Sequence, residues 1–330
     1  MRKLFFITLL FIFGLGFTNR AVFGWDDVTT HPGLTNNTVD FYNLNFDKKI
    51  SVQEKEWLIQ GSVEEDTPPR WINHFYDPIY KEGWTGEHGP TGVSEDLVQK
   101  FSDVFLSPES AVSAINWAHN QELQAKYKLY KGNKTWEKAL YEYVNGNEKE
   151  AFLSLGHVLH LLQDMSVPEH TRNDTHPGDS PIENFCRQFT RDKFYIVDEL
   201  KNEQPEIFNN LDDYFESLAT YSNNYFFSKD TINDPKYERP IIAREDFFWT
   251  YGKDKNETEF MLSGVDYKKL NEYETVKIYA IKEVEEYITL SSTPTGLTGT
   301  ASHALPSSQA VVRFGSFLKK PNGLRKILNY

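Results

Sequence analysis

The stretch GHVLHLLQDMSVPEH, residues 156–170, constrains the fold most, because it places ionisable side chains within an apolar, helix-like pattern. His160 and Asp164 stand four residues apart, so a helix would put them on one face, and His157 precedes them by one turn. The rest of the segment is largely apolar, so this polar stripe is predicted to be buried. Burying a histidine and a carboxylate is costly unless they bind a metal or bond to each other. Both interpretations, a metal site and a hydrogen-bonded core pair, are open at this point.

The apolar spacing along the chain predicts a mostly helical protein. Asn147 and Glu150 resemble a capping pair that opens the helix of His160, and Pro168 is expected to end it. Ser107, followed by proline, is expected to begin another helix that runs to about residue 130. The other predicted helical windows are 47–62, 94–106, 134–145, 181–200, 207–222 and 267–289. Two segments rich in Pro, Gly, Asn and aromatic residues, 66–93 and 224–262, are predicted to be ordered loops.

Both ends of the chain are predicted to lie outside the helical domain. Residues 1–24 join a basic start to a short apolar run, as in a signal peptide cleaved before Trp25; a retained membrane anchor is the alternative. The protein is therefore expected to be exported, either secreted or periplasmic. Residues 25–290 are expected to form one all-α domain. Residues 291–330 are of low complexity and basic, and predict a disordered tail or, as the alternative, a segment that contacts anionic lipid.

Charge and cysteine content narrow the classes of function and of site. The formal net charge of −13 argues against general affinity for nucleic-acid backbones, which depends on clustered Lys and Arg. Cys186 is the one cysteine, so thiolate metal sites and internal disulfides are excluded. Imidazole combined with carboxylate suits zinc. Candidate ligands of these two types are His31, Glu65, Asp66, His74, His160, Asp164, His170, His176, Asp179 and Glu183.

Some of these residues have a plainer explanation when taken singly. The acidic run Glu64–Asp66 could be a solvated helix end, and His31 could lie in a surface loop. Together they would require several coincidences, and a metal centre explains them jointly. The sequence therefore favours metal binding over a core hydrogen-bond network.

The order of these motifs resembles the superfamily of bacterial zinc-dependent phospholipases C and single-strand-specific fungal nucleases. The resemblance lies in Trp25 after a cleavage site, His31, RWINHFYDP with its His74, HLLQD, and His170. Proteins of that superfamily are all-helical and bind a trinuclear zinc cluster, in part through an amino-terminal tryptophan. The motifs cover residues 25 to 190, and the helical pattern extends loosely to about 290. The resemblance implies an all-α fold and two to three zinc ions.

The resemblance also implies which residues bind the zinc ions. Trp25 and His31 would hold one zinc of a close pair, His74 and His160 would lie on the other, and Asp164 would bridge the pair. The carboxylate of the second zinc would be Glu65, with Asp66 as the alternative. The third zinc would take its ligands from the residues after Pro168: His170, His176 or Asp179, and Glu183. His157 matches no ligand position, which predicts a supporting or core histidine.

The implied activity is hydrolysis of phosphoric esters. A metal-activated water would attack a phosphodiester, and Glu65 or Asp66 would orient that water or take its proton. A phospholipase C-like enzyme acting on a phospholipid or another phosphodiester is preferred, because the chain has no disulfide framework. The alternatives are a single-strand nuclease or nucleotidase of the same superfamily, and an exported metal-binding helical protein without catalysis. No obligate protein partner is evident.

Overall fold

The computed structural model describes residues 28–67, 70–85, 111–126, 131–175, 197, 205–225, 228, 231, 234–237, 241–245, 250–253 and 259–263. The α-helices are α1 (Thr30–Asn45), α2 (Val52–Glu64), α3 (Ala114–His119), α4 (Gln121–Lys126), α5 (Trp136–Val144), α6 (Glu148–Asp164), α7 (Pro168–Thr171) and α8 (Leu211–Tyr225). A 3-10 turn covers Arg70–Asn73. The strands are β1 (Ile241–Glu245), β2 (Thr250–Lys253) and β3 (Glu259–Ser263).

The helix α6 is the centre of the helical domain. It packs along α2 and α5 and also contacts α1, α3 and α8. The core around it includes the fully buried Trp117 of α3 and Phe215 of α8. The predicted all-α fold is confirmed for this domain, which carries all the candidate ligands that the structure describes. Among the described residues, no helix is both long and apolar enough to cross a membrane.

A glycine contact brings α2 and α6 unusually close together. A Cβ added at Gly156 would lie 2.8 Å from the Gly61 Cα and would collide with the carbonyl oxygen of Leu58. A Cβ at Gly61 would meet the Gly156 Cα at 2.9 Å. Only hydrogen fits at either position, so the two backbones touch. This contact lets the histidines of α6 reach the carboxyl-terminal end of α2.

Several predicted helix boundaries need correction. The helix α6 does begin after Asn147, but the Asn147 side chain bonds to Glu142 and makes no capping bond. Pro168 does not end α6, which stops at Asp164; it opens α7 instead. The described part of the helix predicted from Ser107 forms two short helices, α3 and α4. The N-cap of α3 is Ser113.

The windows 47–62, 134–145 and 207–222 correspond to α2, α5 and α8. The windows 94–106 and 267–289, nearly all of 181–200, and the two terminal segments lie outside the described residues. The prediction of loops at 224–262 was wrong, because β1, β2 and β3 form an antiparallel sheet there. Register shifts at Ile242/Arg244 and at Thr250/Tyr251 interrupt its pairing. Short strands with such irregularities lack the regular alternation that identifies a strand in a sequence.

Candidate metal centre

Four separate parts of the chain bring histidines to one buried point. The helix α6 contributes His160 and Asp164, one turn apart, and the first turn of α1 contributes His31. His74 follows the 3-10 turn, and His170 lies in α7. All five residues have no exposed surface. Such a concentration of imidazoles around a carboxylate in the interior requires a specific electrostatic reason.

The Asp164 carboxylate is the centre of this cluster. Its Oδ2 lies 3.0 Å from His74 Nδ1 and 3.3 Å from His160 Nε2. Its Oδ1 lies 3.6 Å from His31 Nε2 and 3.7 Å from His170 Nδ1. The rings of His31 and His160 stack, with centroids 3.6 Å apart. Each oxygen of one carboxylate thus faces nitrogens from two different histidines, as a carboxylate shared between two cations would.

Three of the histidines donate Nδ1–H to an oxygen other than those of Asp164. His31 Nδ1 lies 2.6 Å from Gln163 Oε1, and His160 Nδ1 lies 2.6 Å from the main-chain oxygen of Ser62. His170 Nδ1 lies 3.1 Å from the main-chain oxygen of His74. A neutral imidazole has one N–H, so these bonds leave Nε2 of each ring as the lone-pair nitrogen. This is the protonation state that a metal ligand needs.

The charges of the cluster are strongly coupled. Burial alone would raise the pKa of Asp164, but the neighbouring His160, His170 and His74 hold it well below its usual range. Burial opposes a charge on His74, yet the negative charge of Asp164 and a further contribution from Glu65 raise the pKa of His74 to about 10. Burial and the neighbouring His160 lower the pKa of His31 well below its usual value. The interior therefore favours positive charge next to Asp164 but keeps His31 neutral.

The residues fit a metal ion. One group of ligand atoms comes from His31, His160 and Asp164, and a second comes from Asp66, His74 and His160; each group lies within 4.8 Å. Asp164 Oδ1 and His31 Nε2 are buried and make no hydrogen bond to the described residues. Orphaned buried polar atoms of this kind are rare in folded proteins. A cation bound between the rings would satisfy them together.

Glu65 and Asp66 are adjacent but occupy different surroundings. Asp66 Oδ1 lies 3.9 Å from His160 Nε2 and 4.0 Å from His74 Nδ1, and its side chain is 10% exposed. Glu65 is fully buried and takes part in an ion pair with Arg70, at 2.6 Å, and accepts a hydrogen bond from Trp117 Nε1, at 2.7 Å. His157 Nδ1 also bonds to Glu65. This geometry favours Asp66 over Glu65 as the carboxylate of the cluster, which reverses the preference drawn from the sequence.

The ion pair explains the state of Glu65. Burial alone would raise the pKa of Glu65, but the guanidinium of Arg70 and the imidazole of His157 hold it well below its usual range. Glu65 Oε1 also lies 3.6 Å from His74 Nε2. Glu65 is thus an ionised carboxylate behind His74. His157, which the sequence predicted to be a supporting or core histidine, contacts this carboxylate and lies outside both ligand groups.

The sequence-predicted ligands fall into three groups: those that the structure brings together, Glu65 in its ion pair with Arg70 beside them, and those outside the described residues. His31, Asp66, His74, His160, Asp164 and His170 lie in one cluster. Trp25, His176, Asp179 and Glu183 lie outside the described residues. Gln163, which contacts His31, and Arg70, which pairs with Glu65, were not singled out from the sequence. Gln163 stands between two predicted ligands in HLLQD, and that position was the available clue.

Aromatic side chains line one side of the cluster. Phe75 stacks on His170 with centroids 4.5 Å apart, and Trp84 lies 6.2 Å from Phe75. The partly buried Trp71 meets Trp84 edge-on at 6.4 Å. Two open surface clefts lie elsewhere, along α8, and neither is lined by a residue of the two ligand groups. The candidate site is therefore identified by its chemistry rather than by a cavity.

Comparisons with known proteins give structural similarity only. No protein-family model matches the sequence, and no curated protein matches it. The fold is similar to that of an alpha-toxin from Clostridium absonum, with 15% identity, a TM-score of 0.40, and coverage of 91% of this chain and 66% of that one. It is also similar to the alpha-toxin of an avian strain of Clostridium perfringens, with 14% identity, a TM-score of 0.33, and coverage of 88% and 61%. The chain thus spans less than two thirds of the length of either protein.

Proposed function

We propose that the protein is an exported zinc-dependent phosphoric ester hydrolase of the phospholipase C type. The observation that carries the proposal is the Asp164 carboxylate, fully buried among the ring nitrogens of four histidines. The two ligand groups share His160, so the two sites would be neighbours. Pairs of neighbouring metal ions are typical of enzymes that hydrolyse phosphoric esters. The motif order RWINHFYDP…HLLQD supports the same reaction class.

The proposed ligands are His31 and Asp164 for one zinc, and Asp66, His74 and His160 for the other. Trp25 would complete the first site, and His170 with His176 or Asp179 and Glu183 would hold a third ion. Bound zinc would supply Lewis-acid polarisation of the phosphoryl group and would lower the pKa of the attacking water.

Asp66 would act as the general base in this proposal. Its side chain retains 10% exposure, whereas Glu65 has none and its carboxylate is held by Arg70 and Trp117. A base must reach the proton that it removes within hydrogen-bond distance, directly or through one water. Asp66 lies beside the histidines at the edge of the cluster, where it would face such a water. Glu65 would instead orient His74 from behind.

A phospholipid is the preferred substrate. The net charge of −13 disfavours a polyanionic substrate, for which affinity rests on contacts between phosphates and basic side chains. A phospholipid carries its scissile phosphate at a surface and needs no extended basic groove. The basic carboxyl-terminal segment would add contact with anionic lipid at the membrane surface.

The test combines metal content with substrate choice. Protein purified without chelators is analysed for zinc and assayed on bis(4-nitrophenyl) phosphate, phosphatidylcholine vesicles and single-stranded DNA. We expect two to three zinc ions per chain, and cleavage of phosphatidylcholine that is lost with chelator and restored by zinc. Cleavage of DNA alone would favour the nuclease alternative. Bound zinc without turnover on any substrate would identify a non-catalytic metal-binding protein, and no zinc after add-back would refute the centre itself.

A further inference from the structure

Gln163 is a buried polar residue that the proposed hydrolysis does not use. It lies on α6 between His160 and Asp164 and has no exposed surface. Its Oε1 lies 2.6 Å from His31 Nδ1, and its Nε2 donates to Thr35 Oγ1 at 2.9 Å. Both ends of the amide are therefore engaged. An amide has a donor end and an acceptor end; here the N–H₂ end donates to Thr35, which leaves the oxygen end facing His31.

The amide oxygen selects one tautomer of His31. An acceptor beside Nδ1 requires the proton on Nδ1, and this leaves the lone pair on Nε2. That Nε2 atom lies 3.6 Å from Asp164 Oδ1, belongs to the first ligand group, and has no hydrogen bond to the described residues. If the amide turned by 180°, its N–H would face Nδ1 and would favour the proton on Nε2. Zinc binding at Nε2 would then require that proton to move first.

His31 differs from the other rings in what supports it. The Nδ1 atoms of His160 and His170 bond to main-chain oxygens, of Ser62 and of His74. A main-chain acceptor is fixed by the fold and cannot be removed by a substitution. The acceptor for His31 is a side chain, so the tautomer of this ligand depends on the identity of residue 163 and on the Thr35 hydroxyl.

We propose that Gln163 is a positioning residue, which Thr35 orients and which holds His31 in the Nδ1–H tautomer with Nε2 directed at the metal centre. The inference deepens the proposed function and rests on the zinc site for its effect on metal affinity. The effect on the tautomer itself requires no metal. The two consequences can therefore be measured separately.

The first measurement is the tautomer of His31. Protein labelled with ¹⁵N-histidine is treated with chelator, and the ring nitrogen shifts of His31 are assigned by comparison with His31→Asn. We expect the Nδ1–H form in the wild type and in Gln163→Glu, which keeps an acceptor oxygen. Gln163→Leu removes the acceptor, and we expect a mixture or the Nε2–H form. A wild type with the proton on Nε2, or an unchanged tautomer in Gln163→Leu, would overturn the proposal.

The second measurement is zinc affinity, by competition with a chromogenic chelator. Loss of a side chain that orients a metal ligand typically weakens binding by about 10–100-fold, and we expect this for Gln163→Leu with recovery in Gln163→Glu. Equal losses in both variants would show that the position matters for packing only and would overturn the positioning role. A wild type that binds no zinc would refute the proposed function, while the tautomer measurement would still decide the role of Gln163.

Thr35 supplies a second route if Gln163→Leu does not fold. Thr35→Val is nearly isosteric but lacks the oxygen that accepts from the amide, whereas Thr35→Ser keeps it. We expect Thr35→Val to shift His31 towards the Nε2–H form and to weaken zinc binding, and Thr35→Ser to match the wild type. The same behaviour in both variants would contradict the orienting role of Thr35.

Discussion

Arg70 offers the sharpest test of how the interior is stabilised. Its side chain is fully buried, and its Nε and Nη2 atoms lie 2.8 Å and 2.6 Å from Glu65 Oε2. It also donates to the main-chain oxygen of Gly132 and to Gln124, and its guanidinium lies over the ring of Trp117 at 4.9 Å. The substitution Arg70→Met keeps most of the apolar stem and removes the charge. Glu65 is then left ionised in the interior without its main counter-ion.

The expected cost follows from that uncompensated charge. Removing one partner of a buried ion pair typically costs 3–5 kcal/mol, roughly, because the remaining charge is desolvated and unpaired. The double variant Arg70→Met/Glu65→Gln removes both charges, and the new amide oxygen can still accept from Trp117 Nε1. We therefore expect the double variant to be more stable than Arg70→Met alone. If the pair behaved like an exposed ion pair, breaking it would cost only about 0–1 kcal/mol.

Urea unfolding followed by circular dichroism measures these free energies at neutral pH in one buffer. The matched control is Lys138→Met, which breaks the pair between Lys138 and Glu142 on α5, where the lysine side chain is 30% exposed. We expect the control to cost less than about 1 kcal/mol. If Arg70→Met costs no more than Lys138→Met, or if the second substitution does not restore stability, Glu65 is not held as a buried carboxylate by Arg70.

Three further predictions concern the helix contact, pH and the ligand choice. In Gly156→Ala the new methyl group collides with the α2 backbone, so we expect thermal unfolding to show a free energy of unfolding lower by about 1–3 kcal/mol or more. The control Lys149→Ala, at an exposed position, should be as stable as the wild type. A hydrogen bond to the Glu137 carboxylate on α5 raises the pKa of His119 above 6.5. The stability that this bond adds is complete below the pKa of the unfolded state and is lost as pH rises through the pKa of the folded state. Urea titrations of His119→Gln should therefore show destabilisation near about pH 5.5 and none near about pH 9. By elemental analysis, Asp66→Asn should lower zinc content and Glu65→Gln should not; equal losses would contradict the choice of Asp66.

The pairing of His160 with Asp164 was predictable from local spacing. His160 and Asp164 are four residues apart on a strongly apolar helix, and one helical turn necessarily puts them on one face. The meeting of His31 and His74 with that face is a tertiary contact that no spacing contains. We predicted this contact only from the resemblance in motif order.

Other parts could not be predicted for identifiable physical reasons. The helix α1 is rich in Thr and Asn, which favour caps and turns over helix interiors, yet most of its residues are buried. Its helical state therefore follows from packing rather than from propensity. The Gln163 contact with His31 joins residues 132 positions apart, and its polar end is satisfied only after α1 and α6 have met. Its neighbours in the sequence give no indication of this partner.

The acidic run Glu64–Glu65–Asp66 shows how adjacent carboxylates can take different roles. Successive residues near a helix end point in directions about 100° apart, so only one of the three can face the cluster directly. Glu64 remains partly exposed and bonds to Gln60, Glu65 turns into the core towards Arg70, and Asp66 lies beside the histidines. Arg70 and Trp117 determine this division, because they bind the one carboxylate that points inward. Without them Glu65 would be a buried charge with only histidines to compensate it. In the proposed centre, the choice of Asp66 as ligand would therefore follow from two residues outside it.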